Sequence, residues 1–344
     1  MSGPGQPIAA DGTLHLGRYH APFAEVDLAA LPLRCGRWRL PRPVAALRAK
    51  AWQHIAVVTP RYLIGMAWVD AAYLKTSWLY VYDRERAQAF EHHRRGPRLD
   101  LRVNHRLGDG RNQVRARGYA MSLHNFLSEG EHTVHLAVDG QGDKASVQGT
   151  LRCDAAHTLP LVVVLPAGPQ GAMVSYKAPL PCSGELWIGD ERHRLDPEQC
   201  TAIFDVHHAR YPHRTQWQWA TCVGRSGTGE RVALNLTTNA TNPDEARLNE
   251  NALWLGERCF PLAAARFVPD PRGASHAWRL GTVDHQLSLS FIPTGGRQEN
   301  LNALVLRSRF AQRHGSFAGV FHSPQGVVEI PNAYGLLEDH LSHW

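Results

Sequence analysis

Sixteen consecutive residues, Asp205 to Ala220, hold an aspartate, three histidines, two arginines, a tyrosine and two tryptophans. Histidine titrates near neutrality and acts as a general acid or base when a carboxylate orients it. His208 and His213 are the candidate acid–base groups, and Asp205 or Glu250 is the candidate orienting carboxylate. Residues two apart in an extended strand point to the same face, so Trp217 and Trp219 would stand side by side. Asp205 and His207 share a face for the same reason, whereas His207 and His208 point to opposite sides. The Tyr211-Pro212 pair interrupts the run, because proline lacks a ladder donor and biases its predecessor towards extended or turn geometry. The block is predicted as a strand, a corner and a second strand that sets an aromatic wall beside titratable groups. Such a wall suits an apolar ligand. It suits plain core filling equally well, provided each buried indole N–H finds a partner.

Other stretches carry weaker signals. Gly224–Glu230 is glycine-rich but lies between two strand-like runs, while a phosphate-cradling loop must open a helix; a hairpin turn is predicted. It is not Gly-x-Ser-x-Gly, so the hydrolase elbow is absent. The histidines lack any metal-ligand spacing, and no metal is expected. Asn249-Glu250-Asn251 gathers amides and a carboxylate ahead of Trp254, as a turn or strand-edge cluster would. Glu338-Asp339-His340, with Trp344 behind it, suggests a terminal segment that docks rather than frays.

The elements that must position these residues are strands. Ala51–Val58, Tyr62–Val69 and Ser77–Tyr82 are β-rich runs closed by turn residues, and residues 84–95 are read as their hairpin partner. Leu159–Leu165 is a continuous apolar run of strand length. Long helical periodicity is nearly absent, which excludes a parallel α/β sheet. The predicted fold class is all-β: two antiparallel barrels or sandwiches. A Gly/Pro/Ala-rich leader over residues 1–45, anchored by Trp38, precedes domains over 46–165 and 166–344.

At 344 residues the chain is long enough for two domains. Its net charge of +6 comes from 37 scattered basic residues, nearly all arginine. Nucleic-acid binding wants a stripe or patch and is not expected, while a weak preference for anionic ligands or lipid head groups stays open. The six cysteines include no Cys-x-x-Cys and read as buried thiols in a reducing compartment. No secretory signal and no apolar run of membrane-spanning length occur, so a cytoplasmic location without an integral membrane segment is expected.

The chain resembles the bacterial family DUF2804, a domain of unknown function. The residues that carry the likeness are Arg48–Trp52, Tyr176–Gly184, Asp205–Ala220, Asn235-Leu236, Asn249–Asn251, Gln312–Gly319 and Glu338–His340. It spans residue 33 to the C-terminus, and it departs from the family pattern at Ala209-Arg210-Tyr211-Pro212. That family is similar, more distantly, to the two-domain lipocalin-like proteins, among them carotenoid hydratases, tocopherol cyclase and Diels–Alderases. The resemblance implies two barrel-like domains with an apolar cleft, and cofactor-independent chemistry where chemistry occurs. Hydratases of that group pair His-x-Trp with Tyr-x-Asp; here tryptophan fills both positions and no Tyr-x-Asp follows, so their catalytic residues are not carried over.

Two functions follow as expectations. One is binding of an apolar or amphipathic small molecule, lipid- or isoprenoid-like. The other is a hydratase, isomerase or cyclase using His208 or His213 with Asp205 or Glu250. Arg210, Tyr211, Trp217, Trp219, Asn235, Asn249, Asn251, Trp254, Glu338 and His340 are the expected ligand-binding set. A buried network in which Asp205, Arg210 and His213 neutralise one another would favour binding alone.

Overall fold

The computed structural model describes residues 5–106, 108–270, 276–303 and 306–343. Trp344, read from the sequence as part of a docking terminal segment, lies outside the described residues. The chain divides into two units: 5–15, 19–164 and 172–210 form the first, and 16–18, 165–171 and 211–343 the second.

The first unit is one antiparallel sheet whose strands run, side by side, Gln88–Gly96, Lys75–Asp83, Tyr62–Asp70, Lys50–Val58, Thr201–Arg210, Ala172–Ile188, Val147–Asp154, Glu131–Val138, Tyr119–Phe126, Asp109–Ala116 and Asp100–Arg102. The sheet curls until distant strands share hydrogen bonds. The Trp68 indole donates to the Met121 carbonyl at 3.3 Å, Ser77 Oγ lies 3.0 Å from Tyr119 Oη, and Lys75 Nζ donates to the Leu101 carbonyl at 2.9 Å. Inside the curl sits a core that includes Ile55, Ile64, Leu79, Leu123, Val134, Leu151 and Phe204. Period-2 alternation puts these on one face, and burying them out of water is what closes the sheet.

The second unit is a nine-stranded antiparallel sheet. Its order is Arg258–Pro261, Ala252–Leu255, Arg231–Asn239, Arg214–Arg225, Gly326–His343, Leu306–Ser323, Leu287–Ala303, Trp278–Thr282 and Ala265–Pro269. One face packs a core of Cys222, Leu234, Leu253, Leu280, Phe291, Phe317 and Leu337, among others. At the cross-strand pair Gly315–Gly335 a side chain is excluded, because a Cβ on Gly335 would meet the Thr221 carbonyl oxygen at 1.9 Å.

The two curled antiparallel sheets agree with the all-β, two-barrel expectation, and the strand over 88–96 pairs with Lys75–Asp83 as anticipated. The divide between units differs from the expected boundary at residue 166. Ala172–Ile188 is bonded to both Val147–Asp154 and Thr201–Arg210, so residues 172–210 stay with the first unit. The corner at Tyr211-Pro212, where proline cannot extend the ladder, is where the chain leaves it. Trp38 is no anchor: it is 67% exposed on a two-strand hairpin. The C-terminal segment does not fray, because Gly326–His343 pairs on both sides, with Arg214–Arg225 and Leu306–Ser323.

Candidate functional site

Each unit carries a buried set of polar and aromatic side chains on the face opposite its apolar core. In the first unit the set is held by three neighbouring strands. Register places Asp205 opposite His54 and Lys177, and His207 opposite Trp52 and Ser175. The Asp205 carboxylate accepts a short hydrogen bond from Lys177 Nζ and lies 2.8 Å from His207 Nε2. Lys177 Nζ is 3.0 Å and Ser175 Oγ 3.4 Å from that same ring nitrogen. Trp52 stacks on the His207 ring with centroids 4.7 Å apart, and the His54 ring lies 5.3 Å from Trp78. Gly65 makes room there, since a Cβ at that position would meet the Trp78 ring at 3.0 Å.

The electrostatics of this set are those of a buried, compensated charge. Burial pushes the Asp205 pKa up, but the charges of His207 and Lys177 and their hydrogen bonds outweigh it and hold the carboxyl well below the usual range. The carboxylate is thus ionised at every physiological pH and fixes both partners. His208, one residue on, points to the apolar side of the sheet, fully buried. Burial, with smaller contributions from His105 and His207, pulls its pKa down to about 3, so it is neutral at neutral pH. Its ring lies 5.3 Å from His105, away from Asp205.

In the second unit the set spreads over four adjacent strands. The half-buried Trp217 donates its indole N–H to Glu338 Oε1 at 2.8 Å, and Gln312 donates to Glu338 Oε2 at 3.1 Å. The Trp217 ring meets His340 edge to face at 4.1 Å and stacks with Tyr211 at 6.1 Å. His340 Nε2 lies 2.8 Å from Ser308 Oγ and 2.7 Å from Ser342 Oγ, and Phe310 closes its other side at 5.3 Å. Burial pulls the His340 pKa down to about 3. Trp219 donates to Asn235 Oδ1 at 2.7 Å, and Asn235 donates onward to the Glu250 carbonyl at 2.6 Å. By register Trp254 shares the face of Asn235.

Asn249 and Asn251 brace this face from behind. Asn251 Oδ1 accepts from the Thr237 N–H at 2.7 Å, and its amide donates to the Ala263 carbonyl at 2.9 Å. Asn249 accepts a short hydrogen bond from Arg18 and one from the Asn251 N–H. Both therefore order a loop, and that is a sufficient reason for two amides flanking a carboxylate.

The structure thus gathers Tyr211, Trp217, Trp219, Asn235, Trp254, Glu338 and His340 in the second unit. Of the acid–base candidates, Asp205 and His208 belong to the first unit and His213 and Glu250 to the second. Arg210 donates to the carbonyls of Leu31 and Pro32, both at 2.9 Å. His213 is exposed, with its ring 5.7 Å from His343. Glu250 is buried in the bracing loop of the second unit. The sequence reading passed over Lys177, His207 and Trp52 as site residues. Their signal was present: His207 shares the parity of Asp205, and Lys177 and Trp52 lie in motifs that carried the family likeness. Gln312 gains its role only from its cross-strand position opposite Glu338, which the sequence does not show. Among the described residues no group of three or more His, Cys, Asp or Glu is placed to hold a metal ion. Nor is any helix among them long and apolar enough to cross a membrane.

Comparison with solved structures finds similar folds at low identity. Kievitone hydratase from Nectria haematococca is 13% identical with a TM-score of 0.50, over 84% of this chain and 88% of that one. CghA, solved with Sch210972, is 10% identical with a TM-score of 0.55, over 95% of this chain and 98% of that one. At these identities the likeness concerns the fold, which is of the two-domain lipocalin-like kind. No curated protein sequence matches. The model of the family described as Domain of unknown function (DUF2804) matches residues 3–344, so the chain belongs to that family along its whole length.

Proposed function

We propose that the chain binds a hydrophobic or amphipathic small molecule against the aromatic face of its second unit. One observation carries this reading: the sheet buries its apolar core on one face and a second, aromatic and polar set on the other. A face meant for water would be charged and exposed. Indoles beside a fixed carboxylate and amide instead offer broad apolar contact with a few oriented polar groups, as small-molecule sites do. Titration with an apolar fluorescent naphthylamine probe tests it. Trp217→Ala is expected to weaken probe binding about tenfold, the scale of losing one large buried apolar contact. Equal affinity in the two proteins would remove the aromatic face from the reading.

A second reading, cofactor-independent acid–base catalysis on such a molecule, is favoured by Asp205 and His207. A carboxylate 2.8 Å from an imidazole that is also stacked by Trp52 fixes ring orientation, which proton transfer requires. The kinship of fold with a hydratase supports it. In this reading His207, rather than His208 or His213, carries the acid–base role. If it acts, a ligand carrying an acidic C–H exchanges deuterium from D2O with the wild type, and His207→Asn abolishes exchange while leaving probe binding intact. Exchange at an unchanged rate in that variant would sink the second reading and leave the first standing.

A further inference from the structure

A stretch of the first unit that belongs to neither polar set has the character of a lipid-surface anchor. Arg34-Cys35 and Trp38-Arg39 form a two-strand hairpin, closed by the Leu40 N–H donating to the Leu33 carbonyl at 2.7 Å. At its tip the Arg37 guanidinium stacks 5.0 Å from the Trp38 ring. Five residues of helix follow, Arg42–Ala46. The helix turns Ala45 inward, 2% exposed, and leaves Val44 outward at 41%, with Leu47 just beyond it at 58%. Trp38, at 67%, is the most exposed of the large hydrophobic side chains among the described residues. Such residues scattered singly mean nothing, but here three stand within ten positions on one hairpin-and-helix segment.

Charge says what covers it. From Leu28 to Val69 the chain has no aspartate or glutamate, and arginines stand at 34, 37, 39, 42, 48 and 61. Arg42 is engaged by Asp27 at 2.5 Å, while Arg37 and Arg39 are exposed on the hairpin. A protruding tryptophan flanked by arginines, with aliphatic side chains beside it, matches a surface that is anionic outside and hydrocarbon within. Nucleic acid would take the arginines but offers nothing to bury Val44 and Leu47. We infer that the segment Arg34–Leu47 docks the protein on an anionic lipid surface, with Trp38, Val44 and Leu47 entering the headgroup boundary and Arg37 and Arg39 meeting lipid phosphates. This is independent of the ligand face proposed above.

Co-sedimentation of the full-length protein with large vesicles tests it. Vesicles of phosphatidylglycerol and phosphatidylcholine at low salt are expected to carry the protein down, and pure phosphatidylcholine to carry down far less. Trp38→Ala is expected to weaken partitioning about tenfold. Each arginine near an anionic surface contributes about fivefold, so the charge reversal Arg37→Glu with Arg39→Glu is expected to lower it by more than about twentyfold. All three positions are exposed, so the variants should melt as the wild type does, which a thermal melt verifies. Absence of binding to anionic vesicles at low salt would overturn the inference. So would binding that neither variant reduces, or a Trp38→Ala effect confined to self-association or to capture of nucleic acid.

Discussion

Replacing Asp205 with alanine should cost the first unit about 3–5 kcal/mol, the penalty for removing one member of a buried ion pair. The Lys177 side chain is only 3% exposed, and the Asp205 carboxylate is an ion-pair partner of it. Loss of that carboxylate also unfixes His207. For a unit of this size the change corresponds to a fall in Tm of roughly 10 °C or more. The pair is specific rather than intrinsically stabilising, since replacing both members of a buried ion pair by apolar groups is often neutral. Asp205→Ala combined with Lys177→Met should therefore melt closer to the wild type than Asp205→Ala alone. Differential scanning calorimetry decides it: a single variant that melts like the wild type, or a double variant no better than the single, contradicts the compensated-charge description. The pH dependence has a definite sign. The folded carboxyl lies well below its unfolded pKa of about 3.9, so its stabilisation is fully present above that value and is lost only in stronger acid.

Mild acid should unfold both units well before Asp205 is touched. Burial pulls His132 and His208 in the first unit to about 3, and in the second it pulls His340 to about 3 and His314 to about 4. In the unfolded chain each titrates near 6.5. Above that pH neither state holds the extra proton and nothing is lost. Below it the unfolded state takes up protons that the folded state refuses, so stability falls by about 1.4 kcal/mol per pH unit for each histidine. With two in each unit the slope is about 3 kcal/mol per pH unit, against a total domain stability of only about 5–15 kcal/mol. Circular dichroism in a pH titration is expected to show a steep transition between about pH 4 and 6. His132→Gln, which keeps hydrogen-bonding capacity towards Asn125 without titrating, should shift the first unit's transition to lower pH. A chain with native dichroism at pH 3.5 would contradict the burial of these rings.

Period-2 logic made much of this legible before any coordinates. It placed Trp217 beside Trp219 and Asp205 beside His207, it separated His207 from His208, and Tyr211-Pro212 marked a corner between two strands, though not the change of unit that falls there. The all-β class followed from alternating runs and the lack of helical periodicity. What a single sequence withholds is cross-strand register. The partnership of Asp205 with Lys177 joins positions far apart in the chain, as does that of Trp217 with Glu338, and no local pattern announces either. Register also explains why His208 looked attractive: nearness to Asp205 in sequence becomes opposition across the sheet. The expected anchor at Trp38 failed for another reason, because apolarity alone does not say whether a tryptophan faces the core or the outside.

The most direct test of ligand binding by the second unit is native mass spectrometry of the purified full-length protein, with organic extraction of whatever it carries. The result expected is a small apolar or amphipathic molecule bound to the wild type and lost from Trp217→Ala, both proteins melting alike. A clean apo mass for the wild type, with no shift in Tm across a panel of apolar compounds, would contradict the proposal and leave the aromatic face as packing.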